Sequence, residues 1–206
     1  MRVSTIKPLP NSGRYRLTFA DGSQKTLERA AVLDCGLYAG MELSPEDWQR
    51  VLEVQQRASA KARAVRITAS TAVSEQELRR RLRQRGEDPD SADEAVDWLK
   101  DLGALDDAAL ARRVVQQAQA KGYGKARIKQ ILYQKGVDRA CWDQALEDLD
   151  PGDEAIDAFL QKRLGGRTPD RKEQQRVIDA LRRRGFGWEE IRRGLDRYGA
   201  EVEELE

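Results

Sequence analysis

The chain has 206 residues, of which 35% are charged and 39% hydrophobic, and its formal net charge is +1. No run of apolar residues exceeds four, which excludes a membrane-spanning helix of about 20 residues, and no apolar stretch near the start suits a signal peptide. With no histidine and only two cysteines, the sequence lacks the common catalytic triads, most zinc sites and a disulfide framework. We therefore expect a cytoplasmic protein that is not an enzyme and holds no cofactor or metal.

Charge is zoned along the chain. Three basic stretches, 55–86, 111–139 and 162–184, carry net charges of +7, +7 and +6, and acidic stretches separate them. One interpretation is a solvated helical surface on which neighbouring helices attract each other. The other is a bipolar surface that lies along a charged polymer or a protein assembly.

The N-terminal segment, to residue 43, carries strand patterns. Apolar and polar residues alternate over 2–7 and 14–19, and residues 24–27 return as the second strand of a hairpin. Pro8 and the residues after it predict the end of the first strand, and 28–35 predicts a short helix. A sheet this small is not stable alone, so we expect it to pack on the following helix.

Helix signals begin at Ser44, which suits the N-cap, with Pro45 at the first helical position. Weak helix formers over 68–73 predict a break. Ser74 and Glu77 then have the spacing of a capping box, in which each side chain accepts from the other residue's backbone N–H.

An internal repeat is the main pattern of the chain. Three segments align on Gly86, Gly136 and Gly185, which are 50 and 49 residues apart. Apolar residues recur eight and four positions before each glycine and ten positions after it, namely Leu78, Ile128, Val177, Leu82, Leu132, Leu181, Val96, Leu146 and Leu195. The pattern predicts three units of three helices, each helix 10–16 residues long, with the glycine as a left-handed cap. A cation precedes each glycine, where it opposes the negative end of the helix dipole.

We therefore expect a mostly α-helical protein in which three tandem three-helix repeats form an elongated, curved array after a small β-rich segment. The expected limits are 1–43 for the β-rich segment, 44–102, 103–149 and 150–198 for the repeats, and 199–206 for an acidic tail. Asp150 and Pro151 are predicted as the cap and first residue of the helix that includes 153–164. Trp142 shares the register of Ile191 and is predicted to lie in the core.

Several motifs together resemble the RecX family, bacterial regulatory proteins that modulate the RecA recombinase. They are ELRRRLRQRG, AVDWLKDLGALDD, KGYGKARIKQILYQKGVD and ALRRRGFGWEEIRRGL. The resemblance covers about residues 46–198, and its most specific parts are 103–107 and 122–124. Family members often carry an aromatic residue shortly after the Asp pair, where this chain has Ala108, Ala109 and Leu110.

The resemblance implies a non-enzymatic protein that binds in the helical groove of the RecA–DNA filament. It would inhibit ATP hydrolysis, strand exchange and co-protease activity, promote filament shortening, and so modulate DNA repair and the SOS response. The implied partners are the RecA filament and, weakly, single- and double-stranded DNA. We expect a monomer that does not bind membranes.

Cations on the three basic helices are the candidate contacts with filament or DNA, because they suit phosphate and carboxylate groups. They are Arg79, Arg80, Arg83, Lys121, Lys125, Arg127, Lys129, Arg176, Arg182 and Arg183. Three such helices at one pitch would give avidity along a filament. Tyr133 lies among them and has two interpretations, packing in the core or stacking on a base.

Two other functions remain open. One is an independent helix-turn-helix DNA-binding protein, which would use one recognition helix and usually a dimer, and the other is a generic helical adaptor. Asp106 and Asp107 have two interpretations, a metal-binding pair or ordinary chemistry at a helix start.

Overall fold

The structure, a computed structural model, describes residues 1–147 and 149–200. A small antiparallel sheet comes first and helices follow, which confirms the predicted mostly α-helical class with a β-rich start. The chain divides into two compact units, one formed by Met1–Leu105 and the other by the chain from Asp106 onward. Residues 201–206, most of the predicted acidic tail, lie outside the described residues.

Strands β1 (Val3–Leu9), β2 (Arg14–Phe19) and β3 (Gln24–Glu28) form an antiparallel sheet in that order. The predicted hairpin of β2 and β3 is confirmed. The predicted end of the first strand at Pro8 is wrong, because Pro8 pairs with Tyr15 inside β1. Since β1 is an edge strand, a proline can take a position there whose missing N–H is not needed by the ladder.

The sheet packs on the helices that follow it, as expected. Helix α1 (Arg29–Asp34) shares a buried cluster with the sheet, and Val51 of α2 (Pro45–Ser70) belongs to the same cluster. Trp48, also on α2, meets the Phe19 ring edge-on with 5.2 Å between the centroids. The α2 helix therefore completes the β core.

Helix α2 has 26 residues, so the expected length of 10–16 residues is wrong here. It begins with a capping box, in which the Asp47 N–H donates to Ser44 Oγ at 3.0 Å and the Ser44 N–H donates to Asp47 Oδ2 at 3.2 Å. No glycine or proline interrupts it, and its second half turns Ala60, Ala64 and Ile67 into the core of the first repeat. One helix thus serves two buried clusters.

The remaining helices complete three sets of three, α2–α4, α5–α7 and α8–α10, which confirms the predicted repeats. They are α3 (Glu75–Gln84), α4 (Pro89–Asp101), α5 (Asp107–Ala120), α6 (Lys125–Gln134), α7 (Trp142–Glu147), α8 (Asp153–Leu164), α9 (Arg171–Arg183) and α10 (Trp188–Tyr198). A short 3₁₀ turn, Arg139–Cys141, precedes α7, which has only six residues and is shorter than expected. Each set has its own buried cluster, and every position that the repeat pattern places inward is at most 6% exposed.

The predicted left-handed glycine caps are confirmed, since Gly86, Gly136 and Gly185, which follow α3, α6 and α9, have φ values of +82°, +65° and +90°. The predicted start of α8 at Asp150 and Pro151 is wrong. Gly152, with φ +80°, is the N-cap, and its N–H donates to Asp150 Oδ1 at 2.7 Å. The left-handed glycine turns the chain between the proline and the helix, so the helix begins later.

In the second unit, the end of α9 meets the start of α6 through backbone atoms. The Gly124 N–H donates to the Arg184 carbonyl at 2.9 Å, and the Ala126 N–H donates to the Gly185 carbonyl at 3.1 Å. A Cβ atom on Gly124 would overlap the Gly185 backbone, and one on Gly185 would overlap the Arg127 backbone. Only residues without a side chain allow the second and third repeats to approach this closely.

One half of the capping box predicted for α3 is present, because the Glu77 N–H donates to Ser74 Oγ at 3.1 Å. The Glu77 carboxylate also accepts hydrogen bonds from Arg80 at 2.7 and 2.8 Å and from Arg81 at 2.6 Å. These bonds, the one from Arg80 foremost, hold the pKa of Glu77 below its ordinary value.

The Glu77→Gln variant should be less stable than the wild type at neutral pH, by roughly 1 kcal/mol, because two partly exposed ion pairs are lost. The deficit should be complete above the pKa of the unfolded state, about 4.3, and should shrink as the pH falls through the lowered native pKa. Urea unfolding of both proteins between neutral and acid pH measures it. The exposed Glu53, changed to Gln, is the control, and a deficit that does not change with pH would contradict the assignment.

Two glycines with similar conformations separate backbone strain from close packing. Gly86→Ala should cost about 1–2 kcal/mol, the strain of a left-handed residue, because open space surrounds that position. Gly185→Ala should cost clearly more, since its Cβ must also push Arg127 away. Chemical denaturation of both variants measures the free energy of unfolding. Equal losses would show that the contact between α9 and α6 accommodates the added methyl group without further loss of stability.

Candidate functional site

Nine of the ten candidate cations lie on three helices and the tenth caps a fourth, and they are divided between two compact units. Arg79, Arg80 and Arg83 are on α3, Lys125, Arg127 and Lys129 are on α6, Arg176, Arg182 and Arg183 are on α9, and Lys121 is the C-cap of α5. The last seven share the second unit. Five of them lie within a few residues, along the chain, of the backbone contact between the end of α9 and the start of α6.

The α3 arginines already have acidic partners. Arg79 Nη2 lies 2.8 Å from Asp97 Oδ1, and Arg83 Nη2 lies 2.9 and 2.8 Å from the two carboxylate oxygens of Asp93. Arg80 pairs with Glu77 at 2.7 Å. Both aspartates belong to α4, in the acidic stretch that follows. Much of the basic charge in this repeat is therefore used in ion pairs with acidic residues of the same repeat.

The other seven candidates differ. Within residues 1–147 and 149–200, none of Lys121, Lys125, Arg127, Lys129, Arg176, Arg182 and Arg183 forms an ion pair. All except Arg127 are exposed. Arg127 donates to Gln130, and Arg182 lies over the Trp188 ring, 5.6 Å from its centroid. The basic charge of α6 and α9 is therefore available to an external anion.

We call Lys121, Lys125, Arg127, Arg182 and Arg183 the junction cations, because each lies within a few residues of the contact between α9 and α6. None of them forms an ion pair within the described chain, so their positive charge can attract an external anion. The N-terminus of α6 itself is not an anion site here. Two of the N–H groups that a helix start leaves without a partner in its own helix donate to carbonyls at the end of α9.

Arg184 stabilises the contact between the end of α9 and the start of α6, although it was not among the candidate residues from the sequence. Its Nη1 lies 3.3 Å from the Gly122 carbonyl oxygen and 3.5 Å from that of Lys121. The guanidinium also lies over the Phe159 ring, 4.9 Å from the centroid. The cation before this glycine thus joins two repeats. The sequence signal was the place of Arg184 directly before Gly185, the glycine on which the third repeat aligns.

The aromatic residues divide into packed and exposed. The four tryptophans are half-buried, one at the edge of each buried cluster, so Trp142 lies at the margin of its core, with its indole N–H donating to the Val137 carbonyl at 3.1 Å. Tyr133 is 65% exposed. The interpretation of Tyr133 as a packed residue is therefore wrong.

The acidic pair at the start of α5 has structural roles. Asp106 caps the helix by accepting from the Ala109 N–H at 2.8 Å. Asp107 is buried and accepts from the Asp138 N–H at 3.2 Å, which ties α5 to the turn before α7. Among the described residues, no three metal-ligating side chains come together. In that same part of the chain, no helix combines the length and apolar character needed to cross a membrane.

Comparisons with known proteins agree with this architecture. Family models for the first, second and third three-helix domains of RecX match residues 60–99, 106–146 and 152–195. The regulatory protein RecX of Deinococcus radiodurans is 32% identical over 158 residues, 73% of this chain and 76% of the relative. That of Clostridioides difficile is 28% identical over 192 residues, 91% of this chain and 90% of the relative.

Solved structures share the fold. A crystal structure of a regulatory protein RecX superposes with a TM-score of 0.73 at 22% identity, covering 95% of this chain and 98% of that one. RecX from Lactobacillus salivarius superposes with a TM-score of 0.63 over 70% of this chain and 97% of its own. With three family domains in sequence and relatives matched along most of their length, the chain belongs to the RecX family of regulatory proteins.

Proposed function

We propose that this protein is a non-enzymatic regulator that binds the RecA–DNA filament and inhibits its ATPase, strand-exchange and co-protease activities. Through that inhibition it modulates DNA repair and the SOS response in the cytoplasm, as a monomer without a cofactor. Membership of the RecX family supports the regulatory role. The partner follows from what the family resemblance implies.

The observation that carries the proposal is that the cations of the basic helices differ in whether they have acidic partners. The junction cations lack acidic partners in the described chain, whereas Arg79 and Arg83 of α3 pair with aspartates of α4, and Arg80 pairs with Glu77 on its own helix. A phosphate backbone or an acidic protein surface offers the missing charge. We therefore assign most of the filament contact to α6 and α9, and a smaller share to α3.

An independent DNA-binding protein is the second candidate, and the helical repeats with exposed cations favour it. Such a protein inserts one recognition helix into a groove. Here the free cations are divided between two helices that meet end to end. This arrangement suits contact along an extended charged ligand better than insertion of a single helix.

Removing charge from the two kinds of basic helix should separate binding from folding. The triple variant Lys125→Gln, Lys129→Gln and Arg183→Gln should need roughly tenfold more protein to inhibit RecA, because each exposed charge contact contributes up to about 1 kcal/mol. Its thermal midpoint should match the wild type, since none of the three side chains has an acidic partner among the described residues. The measurement is the ATPase rate of RecA from the same organism on single-stranded DNA.

The matched control removes the same charge from α3, in the variant Arg79→Gln, Arg80→Gln and Arg83→Gln. It should lose stability, because acids of α3 and α4 lose their partners, while inhibition falls much less. Equal loss of inhibition in both variants would reject the assignment to α6 and α9. No inhibition by the wild type would reject the filament as the partner and favour the independent DNA binder.

Salt should distinguish filament binding from binding to bare DNA. Affinity for bare DNA should be weak and should fall steeply with salt, because release of phosphate counterions dominates it. Filament binding should persist better at moderate salt, since contacts with protein subunits are less screened. Titrations of labelled protein against both ligands at two salt concentrations test this, and parallel salt slopes would count against a protein contact.

A further inference from the structure

Tyr133 is an exposed aromatic residue on a helix whose free charges are basic. Its side chain makes no hydrogen bond or ring contact with the described residues, and 65% of its surface is accessible. In the repeat register, three positions before the glycine, it corresponds to Arg83 and Arg182. All three positions are exposed. The middle repeat therefore places an aromatic ring where the other two repeats place a guanidinium.

The neighbours of Tyr133 along α6 are cations. Lys125, Lys129 and Tyr133 follow each other at intervals of four, so adjacent members lie side by side on the helix surface. Ile128 and Leu132 face the core instead, with no exposed surface. Neither lysine has an acidic partner among the described residues. The outer face of α6 is thus a row of two free ammonium groups and one free ring.

This combination matches the chemistry of an unpaired nucleotide. Every base has an apolar face that stacks on an aromatic side chain, and the adjoining phosphates take cations. In a duplex, the faces of the bases are covered by their neighbours, so a ring on a helix surface meets only backbone and groove edges. A row of lysines alone would not distinguish these two forms of DNA, whereas a ring beside them does.

We propose that the outer face of α6 binds single-stranded DNA, with the Tyr133 ring stacked on an unpaired base and Lys125 and Lys129 on the flanking phosphates. The proposal rests on the proposed function in taking DNA as part of the ligand, and it adds the strand form and the contacting residue. It requires no RecA, so free oligonucleotides test it.

The test compares Tyr133→Ala and Tyr133→Phe by fluorescence anisotropy with a labelled oligothymidylate and with a duplex of the same length. Tyr133→Ala should bind the single strand roughly fivefold to a hundredfold more weakly, the usual effect of losing one stacked base. Tyr133→Phe should keep wild-type affinity, because the ring stacks and the hydroxyl does not. Affinity for the duplex should be unchanged in both variants. Matching circular dichroism and thermal midpoints establish that the exposed substitutions leave folding intact.

Salt dependence separates the ring from the lysines. Tyr133→Ala should lower affinity without changing the salt slope, since it removes no charge. Lys129→Gln should reduce the slope by about 0.7, the value for one phosphate contact on a single strand. A change of slope in Tyr133→Ala would mean that the substitution displaces the lysines, which would overturn the stacking assignment.

Photocrosslinking locates the contact directly. An oligonucleotide with 5-iododeoxyuridine forms adducts with aromatic side chains that stack on the halogenated base. After trypsin, the adduct should lie in the peptide 130–135, which contains one tyrosine and no tryptophan, and Tyr133→Ala should abolish it. An adduct that lies only at other aromatic residues would overturn the proposal.

Three results in the binding assay would also overturn it. They are unchanged affinity of Tyr133→Ala, equal losses on single strand and duplex, and a Phe variant as weak as the Ala variant. Weaker binding to RecA filaments with normal affinity for the oligonucleotide would show that the ring contacts protein instead. If the wild type failed to inhibit RecA while the Tyr133 effects held, the proposed function would fail and this site would stand.

Discussion

The backbone contact between the end of α9 and the start of α6 is the constraint on which the second unit depends. Helix ends normally leave N–H and carbonyl groups for water or side chains, but here two N–H groups of one helix meet two carbonyls of another. This exchange requires Gly124 and Gly185, because a side chain at either position would fill the space between the chains. Arg184 then spans the same boundary through the Gly122 carbonyl. This contact sets the positions of most junction cations, since four of them lie on α6 and α9 and Lys121 caps α5 just before it.

Similar basic sequences have different electrostatic environments in the three repeats. The arginines of α3 face an acidic helix that supplies carboxylates at hydrogen-bonding distance, such as Asp93 and Asp97. In the described chain, the candidate cations of α6 and α9 receive no such partners. Net charge per segment was therefore a poor guide to the charge that a ligand would encounter. A ligand encounters only the charge that is not already paired with acidic residues of the same or a neighbouring helix.

The repeat register, the glycine caps and the inward positions were predictable, because each depends on local periodicity and on the conformational freedom of glycine. Several other features were not. Helix α2 is longer than expected because two separate cores use its length, which no local pattern records. Pro8 stays in a strand because the strand is at an edge. The exposure of Tyr133 and the ion pairs of Arg79 depend on which helices become neighbours, and the sequence indicates the charges but not their partners.

The sharing of α2 between two buried clusters has a consequence for modularity. Val51 and Trp48 complete the β core near the start of the helix, while Ala60 and Ala64 belong to the first repeat. A chain without the β segment would leave an apolar turn of α2 facing water, and a β segment without α2 would have an open core. The two parts are therefore coupled as one cooperative folding unit, and exchange of the β segment between proteins would have to carry the first turns of the helix with it.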